Sequence, residues 1–240
     1  MPSLLLPRQW TSQPQIPVGV DWSNPLSRGL VFASYGGNDR NLVTSRQSSS
    51  TVAPSSVTPA STGLKRDFNG STSAVLFQNE TVLTGDLFTF ACNIYPTSVS
   101  SRFTVFGCEN FANGFMLEIG AVFTSGTSTM SALYSGVGSP DQAVDNSITV
   151  NAWNRICYVR TNGNPTSKFY VNGFGVDLRH GLTSPFSSSA HSRTLGRRSS
   201  GSQPFLGAIE YAFLYSRALS EAEIKSLAAN PYQIFRPLVT

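Results

Sequence analysis

Hydrophobic and polar residues alternate strictly along LFTFACNIYP, at positions 87–96. A period of two is typical of a β-strand, because successive side chains point to opposite faces. One face carries Phe88, Phe90, Cys92 and Ile94, and the other carries Thr89, Ala91 and Asn93. The stretch therefore predicts a strand with one buried face.

Comparable stretches follow this strand, and turn residues separate them. The further strand sequences are RFTVFGCE, GFMLEIGAVF, TMSALYSG and FLGAIEYAFLYSRAL. The clearest hairpin joins ITVNAWNRICYVRTNG to SKFYVNGFGVDL through residues 162–167, and its second half contains the tight-turn pair Asn172 and Gly173. Short strands with frequent turns predict an all-β fold, a two-sheet antiparallel jelly-roll sandwich.

Two regions near the N-terminus do not follow the strand pattern. Residues 1–20 contain Pro2, Pro7, Pro14 and Pro17, which disfavour a helix and predict an extended arm. Residues 44–63 are rich in Ser, Thr and Pro and lack aromatic residues, so we expect a long surface loop there.

One short helix is predicted close to the C-terminus. Ser220 and Glu223 form a capping box at its start, and Asn230 followed by Pro231 ends it. Its apolar stripe of Leu219, Ile224 and Leu227 is expected to lie on the sandwich edge. The predicted organisation is an extended arm at 1–20, a jelly-roll domain at 21–230 and a tail at 231–240.

Both chain ends carry large apolar residues that a solvated terminus would not need. These residues are Trp10, Ile16, Trp22, Tyr232, Ile234 and Phe235. They predict docking, either onto a partner or within the chain, with the tail beside the first strand. The sequence leaves both alternatives open.

Composition excludes several classes of function. The charged residues are only 12% of the chain and the net charge is +4, with Arg193, Arg197 and Arg198 as the densest basic cluster. We interpret these arginines as solvated turn residues and predict no nucleic-acid partner. Three cysteines without metal-ligand spacing predict neither a disulfide framework nor a zinc site. No apolar run approaches membrane-spanning length, so no membrane partner is predicted.

Two sets of stretches carry a resemblance to known families. LKRDFNGSTSAVLF, LFTFACNIYP, the hairpin and FLGAIEYAFLYSRALSEAEIKSLAAN resemble the concanavalin A-like lectin/glucanase superfamily, closest to laminin-G-like jelly-roll modules, over residues 29–230. PVGVDWSNPLSRGLVFA and NPYQIFRP resemble the termini of such modules in tailed bacteriophages and prophages. The second resemblance implies a virion protein.

Families of this kind include glycoside hydrolases, calcium-binding modules and sugar-binding modules. Glucanases of the superfamily carry paired glutamates on one strand, and here Glu118 and Glu210 each stand alone. Calcium candidates are Asp86, Asp141, Asp145, Asn146 and Asp177, although turn-forming residues explain them more simply. For a sugar platform, Tyr134 and Phe111 lie in candidate loops, and Trp153 is expected to be a core residue.

The sequence therefore leads to a non-enzymatic virion structural protein without a cofactor. It would decorate a capsid or form a head fibre, bind the major capsid protein or another virion protein, and assemble as a homo-oligomer. Its expected location is the virion surface, after synthesis in the bacterial cytoplasm. The alternative is a lectin-like module for a host-surface glycan, and a glycoside hydrolase using Glu118 or Glu210 is the third hypothesis.

Overall fold

The structure is a computed structural model. It describes Trp10, Leu83 and residues 12–36, 38–52, 56–60, 63–77, 87–108, 115–120, 129–134, 141–143, 147–161, 167–180, 193–198 and 200–238.

The described residues form β-strands, one α-helix and two short 3-10 turns. The strands of the first half are β1 Val18–Val20, β2 Leu30–Tyr35, β3 Arg40–Asn41, β4 Arg46–Gln47, β5 Ser50–Val52, β6 Ser56–Ala60, β7 Gly63–Asn69, β8 Ala74–Phe77, β9 Phe88–Pro96 and β10 Arg102–Cys108. The later strands are β11 Phe115–Gly120, β12 Thr129–Tyr134, β13 Asp141–Ala143, β14 Asn154–Arg160, β15 Lys168–Val171, β16 Phe174–Val176, β17 Leu178–His180, β18 Arg193–Leu195, β19 Leu206–Tyr215 and β20 Phe235–Pro237. Helix α1 is Glu221–Ala229, and the 3-10 turns are Pro25–Ser27 and Pro231–Ile234.

Two large antiparallel sheets make up the sandwich. The first sheet has the order β16-β15-β14-β9-β19-β7-β6, and β2 pairs with the far end of β19. The second sheet has the order β17-β13-β12-β11-β10-β18-β8-β5. The predicted fold class, an all-β jelly-roll sandwich with one short C-terminal helix, is confirmed.

The space between the sheets is filled by large apolar side chains. Phe88, Phe90, Cys92 and Ile94 of β9 all point into it, as their alternation predicts. Phe90 stacks on Phe106 of the second sheet with the ring centroids 4.4 Å apart. Such aromatic contacts across the gap hold the two layers together.

The outer face of the first sheet is also buried, which the alternation in β9 did not predict. Ala91 of β9 and Cys157 of β14 lie in a second apolar cluster with Ile224 and Leu227 of α1. Helix α1 therefore lies on the outer face of this sheet, and its expected position on the sandwich edge was wrong. A sheet covered on both faces needs apolar residues on both, so the central strands carry few solvated positions.

The chain termini meet in a two-stranded ribbon, which we call the terminal ribbon. Val18 of β1 pairs with Pro237 of β20, and Val20 pairs with Phe235. Val18, Val20 and Phe235 belong to the cluster on the outer face of the first sheet. The terminal ribbon thus covers this face together with α1.

The expected surface loop at 44–63 contains strands at the edges of both sheets. Within it, β5 pairs with β8 in the second sheet, and β6 pairs with β7 in the first. Backbone pairing tolerates this polar composition because edge strands expose side chains to solvent. The prediction of a loop was wrong for these two segments.

Helix α1 begins as the sequence predicts. The Ser220 hydroxyl accepts a hydrogen bond from the Glu223 amide, and the Glu223 carboxylate accepts one from the Ser220 amide. Arg217 donates two further bonds to this carboxylate, from Nη1 at 3.0 Å and from Nη2 at 2.7 Å. The capping box is confirmed, and it joins the helix start to the end of β19.

Glu223→Gln is expected to reduce the loss of folding stability that occurs as the pH falls below 4.5. Arg217 holds the pKa of Glu223 at about 2, below its ordinary value of 4.5. A lowered folded-state pKa contributes stability above pH 4.5, and this contribution is lost as the pH falls toward 2. Thermal unfolding at a series of pH values should therefore show a steeper loss for the wild type than for the variant.

Glu221→Gln is the control for this measurement. Its pKa is also lowered, through a hydrogen bond from Lys225, but the carboxylate is fully exposed and solvent screens the effect. This variant should change the slope less than Glu223→Gln does. Equal slopes for Glu223→Gln and the wild type would contradict the proposed role of the Arg217 pair.

Candidate functional site

A groove of ≈ 390 Å³ lies between the edge of the first sheet and the first turn of α1. Small-ligand sites commonly have about 300–1,000 Å³. Two other openings, one beside Glu210 and one beneath α1, hold only ≈ 10 Å³ each, about the volume of one water. The groove is lined by Ser167, Lys168, Phe169, Tyr170, Gly175, Val176, Asp177 and Glu221.

The β15–β16 hairpin builds one wall of the groove. Asn172 and Gly173 have φ angles of 54° and 86°, so both turn residues take the left-handed conformation that a tight two-residue hairpin requires. This turn sets Gly175 opposite Tyr170. Gly175 has no side chain, and a Cβ atom at this position would lie 3.8 Å from Cε1 of Tyr170. Tyr170 itself is largely buried, with 6% of the residue exposed, so only an edge of its ring borders the groove. Lys168 is two residues before Tyr170 and lies on the same face.

The other wall comes from α1. Glu221 is its first residue, and the Lys225 ammonium donates to the Glu221 carboxylate over 2.6 Å. Burial raises the pKa of Tyr170, and the Glu221 charge in the same groove raises it further. The hydrogen bond from Lys225 lowers the pKa of Glu221 and keeps it ionised.

These residues combine an aromatic ring with charged hydrogen-bonding groups at both walls. Lys168 and Asp177 are exposed on the sheet side, and Glu221 is exposed on the helix side. Carboxylates accept hydrogen bonds from hydroxyl groups, and an ammonium group donates to their oxygens. A ring with an apolar face and a rim of hydroxyl groups has the chemistry that fits this groove.

Residues 69–225 match a laminin G-like family described as the concanavalin A-like lectin/glucanases superfamily. The chain belongs to this superfamily. The matched segment runs from the end of β7 into α1 and includes every residue that lines the groove. The family expected from the sequence is thereby confirmed, whereas no protein of curated function matches the chain.

Solved structures with this superfamily's sandwich resemble the present one. Domain 4 of AbnA, a GH43 extracellular arabinanase from Geobacillus stearothermophilus in complex with arabinotriose, is 18% identical with a TM-score of 0.54, covering 82% of this chain and 87% of that one. A heptameric SAP-like pentraxin from Limulus polyphemus is 15% identical with a TM-score of 0.55, covering 68% and 81%. The binding domain of botulinum neurotoxin DC in complex with SialylT is 12% identical with a TM-score of 0.59, covering 85% and 52%. These likenesses show the fold.

The six terminal residues expected to dock fall into two groups. Tyr232, Ile234 and Phe235 are buried within the chain against the outer face of the first sheet. Of the two alternatives, docking within the chain therefore describes these three. Trp10 is half-buried against the same cluster, while Ile16 and Trp22 are 47% and 55% exposed. A partner contact through Trp10, Ile16 and Trp22 stays a prediction.

Glu118 and Glu210 do not face each other. Glu118 lies on the outer face of the second sheet, opposite the inward-pointing Leu117 and Ile119. Glu210 lies at a β-bulge on the outer face of the first sheet, where it accepts hydrogen bonds from Asn93 and Tyr232. Stacked sheets are about 10 Å apart, and paired glycosidase carboxylates are at most about 9.5 Å apart. The hydrolase hypothesis built on this pair is wrong.

The basic cluster near residue 195 is not a set of solvated turn arginines. Arg193 is 1% exposed and its guanidinium lies 5.5 Å from the Phe32 ring centroid. Arg198 donates to the buried Glu118 carboxylate over 2.9 Å, and Arg102 donates to its other oxygen. The expectation that Arg193, Arg197 and Arg198 are solvated was wrong for Arg193, which is buried beside the Phe32 ring, and for Arg198, which pairs with the buried Glu118 carboxylate.

The remaining candidate residues divide between described and undescribed positions. Asp177 lines the groove, and Trp153 is half-buried with its ring 5.5 Å from Tyr95. The candidates outside the described residues or side chains are Asp86, Phe111, Tyr134, Asp141, Asp145 and Asn146. Within the described part of the chain, no three His, Cys, Asp or Glu side chains gather around a metal position.

Sequence reasoning missed the groove except for Asp177. Lys168 and Tyr170 lie in the predicted hairpin and Glu221 lies in the predicted helix, about 50 residues further along the chain. Nothing in the sequence indicates that these two segments meet. One local pattern pointed toward it: the glycine at 175 follows the Asn172-Gly173 turn and opens the edge strand beside an aromatic residue.

The described α1 is a nine-residue helix and is too short to cross a membrane.

Proposed function

We propose that this protein binds carbohydrate non-catalytically, through the groove between β15, β16 and α1. The groove carries the proposal, because it has the volume of a small-ligand site and combines the edge of the largely buried Tyr170 ring with hydrogen-bonding groups on both walls. A sugar ring has an apolar face that packs on an aromatic ring, and its hydroxyl groups need charged or amide partners at the rim.

The superfamily and its relatives support this proposal. The superfamily is one of lectins and glucanases, and the structural relatives include an arabinanase domain in complex with arabinotriose and a toxin binding domain in complex with SialylT. The virion structural role therefore stays a prediction, as do the capsid partner and the homo-oligomer, and the exposed Ile16 and Trp22 are the surface that such a role would use.

Lys168→Ala and Asp177→Ala are each expected to weaken sugar binding at least tenfold. Each change removes a charged hydrogen bond to a ligand hydroxyl group, worth roughly 1.5–3 kcal/mol. Isothermal titration calorimetry of the purified chain with oligosaccharide hits from a glycan array measures the loss. Tyr170→Phe keeps the packed ring and removes the hydroxyl group, so it reports on that group alone.

The matched control is Trp22→Ala, which removes an exposed aromatic side chain outside the groove. This variant should bind as the wild type does. If Trp22→Ala abolishes binding while the groove variants keep it, the sugar binds beside Trp22 instead. If the array yields no saturable hit, the carbohydrate proposal fails and the virion role becomes the stronger hypothesis.

A further inference from the structure

We propose that the groove selects uncharged sugars and rejects acidic ones such as sialylated or uronic-acid glycans. This inference rests on the proposed function and concerns the class of its ligand. It follows from the charges that the groove presents and from the pairs that these charges already form.

The charged side chains that line the groove carry a net charge of −1, since Lys168 is opposed by Asp177 and Glu221. Lys225 lies one turn further along α1, and its ammonium is already paired with Glu221 over 2.6 Å. With Lys225 included, the site is neutral. Among the lining residues that the structure describes, none is an arginine, the side chain that binds carboxylate and sulfate groups in two-point fashion.

An acidic sugar would place its anionic group among two carboxylates. Lys168 could pair with that group, but Asp177 and Glu221 lie within the same groove and repel it. Like charges held close together lower affinity for the wrong ligand, which is a common source of specificity. A neutral sugar meets no such repulsion, because its hydroxyl groups donate to the carboxylates and accept from Lys168.

The net charge of the whole chain favours acidic ligands, in contrast to the local charges of the groove. Its net charge is +4, so the long-range field attracts anions weakly and without specificity. Salt screens this long-range attraction over a Debye length of about 8 Å near physiological ionic strength. Discrimination against acidic sugars should therefore become clearer at moderate salt than at low salt.

The test compares neutral oligosaccharides with acidic partners of the same backbone, such as lactose with sialyllactose and galactan with galacturonan fragments. Calorimetry at 150 mM NaCl should show at least tenfold tighter binding of the neutral member. At 50 mM NaCl the affinity for the neutral member should be nearly the same, while the discrimination should be smaller because the acidic member binds more tightly. The double variant Asp177→Asn, Glu221→Gln changes the lining charge from −1 to +1. It should lose affinity for the neutral sugar and gain affinity for the acidic one.

Each result has a separate meaning. Tighter binding of the acidic member by the wild type would overturn the selectivity and leave carbohydrate binding intact. Binding of neither member, on the array or in solution, would overturn the proposed function and the inference with it. If the double variant keeps the preference for the neutral sugar, the charge argument is overturned, because the selectivity would then come from the shape of the groove. Circular dichroism of the double variant confirms that it is folded, as expected for two exposed positions.

Discussion

Tyr232→Ala should lower the free energy of unfolding by about 3–5 kcal/mol, the usual cost of deleting a buried aromatic side chain. Tyr232 is 1% exposed, and its ring packs edge-to-face on Tyr35 and Tyr211 with centroid distances of 6.3 and 6.1 Å. Its hydroxyl group also donates to Glu210 over 2.7 Å, so the variant leaves a buried carboxylate with one partner fewer. Urea unfolding followed by tryptophan fluorescence measures the change.

Two further variants separate the contribution of the Tyr232 hydrogen bond from that of the buried ring and provide a surface control. Tyr232→Phe keeps the ring and removes the hydrogen bond to a charged group, which should cost about 1.5–3 kcal/mol. Trp22→Ala removes an exposed aromatic residue of the N-terminal segment and should change stability by less than about 0.5 kcal/mol. A loss below about 1 kcal/mol for Tyr232→Ala would mean that the tail does not dock within the chain. Its aromatic residues would then be available to a partner, as the sequence also allowed.

Glu118→Ala is expected to have a comparably large effect, about 3–5 kcal/mol, because it leaves two partly buried arginines without their counter-ion. The Glu118 side chain has no solvent exposure and accepts hydrogen bonds from Arg102, Arg198 and Thr104. Arg102 and Arg198 retain 26% and 22% side-chain exposure, so water compensates part of the loss and the lower half of this range is expected. A thermal shift of roughly 6–12 °C would correspond to about 3 kcal/mol in a chain of this size.

Glu118→Gln and Glu221→Ala are the comparison variants. Glu118→Gln keeps an acceptor for Thr104 and removes only the charge, so its cost should lie below that of Glu118→Ala. Glu221 is an exposed carboxylate in a surface ion pair, and such pairs contribute about 0–1 kcal/mol. If Glu118→Ala proved as mild as Glu221→Ala, the two arginines would have found other partners and the buried pair would be incidental to stability.

The local elements could be predicted from the sequence because each depends on neighbouring residues. The alternation in β9 identified its inward face, and Asn172 with Gly173 identified a tight turn that requires positive φ angles. The capping box at Ser220 and Glu223 is likewise a contact between residues three positions apart. The family resemblance, carried by such stretches, was confirmed over residues 69–225.

The groove could not be predicted in the same way, because its walls come from elements that meet only in the folded chain. Lys168 and Tyr170 lie on β15, Asp177 follows β16, and Glu221 belongs to α1. The function first preferred, a virion protein, came from the resemblance of the two termini. The proposed carbohydrate binding instead draws on the groove and on the superfamily.

By itself, the sequence determined the all-β class, the faces of the central strands, the hairpin and the helix start, since side-chain period and turn chemistry are local properties. Only the tertiary structure decided that α1 covers a sheet face and that β20 pairs with β1. It alone also decided that Glu118 and Glu210 lie on opposite faces and that an open groove remains beside Tyr170. The physical reason is that burial and charge pairing depend on which distant segments come together, and a periodic pattern records only that a face is apolar, not what covers it.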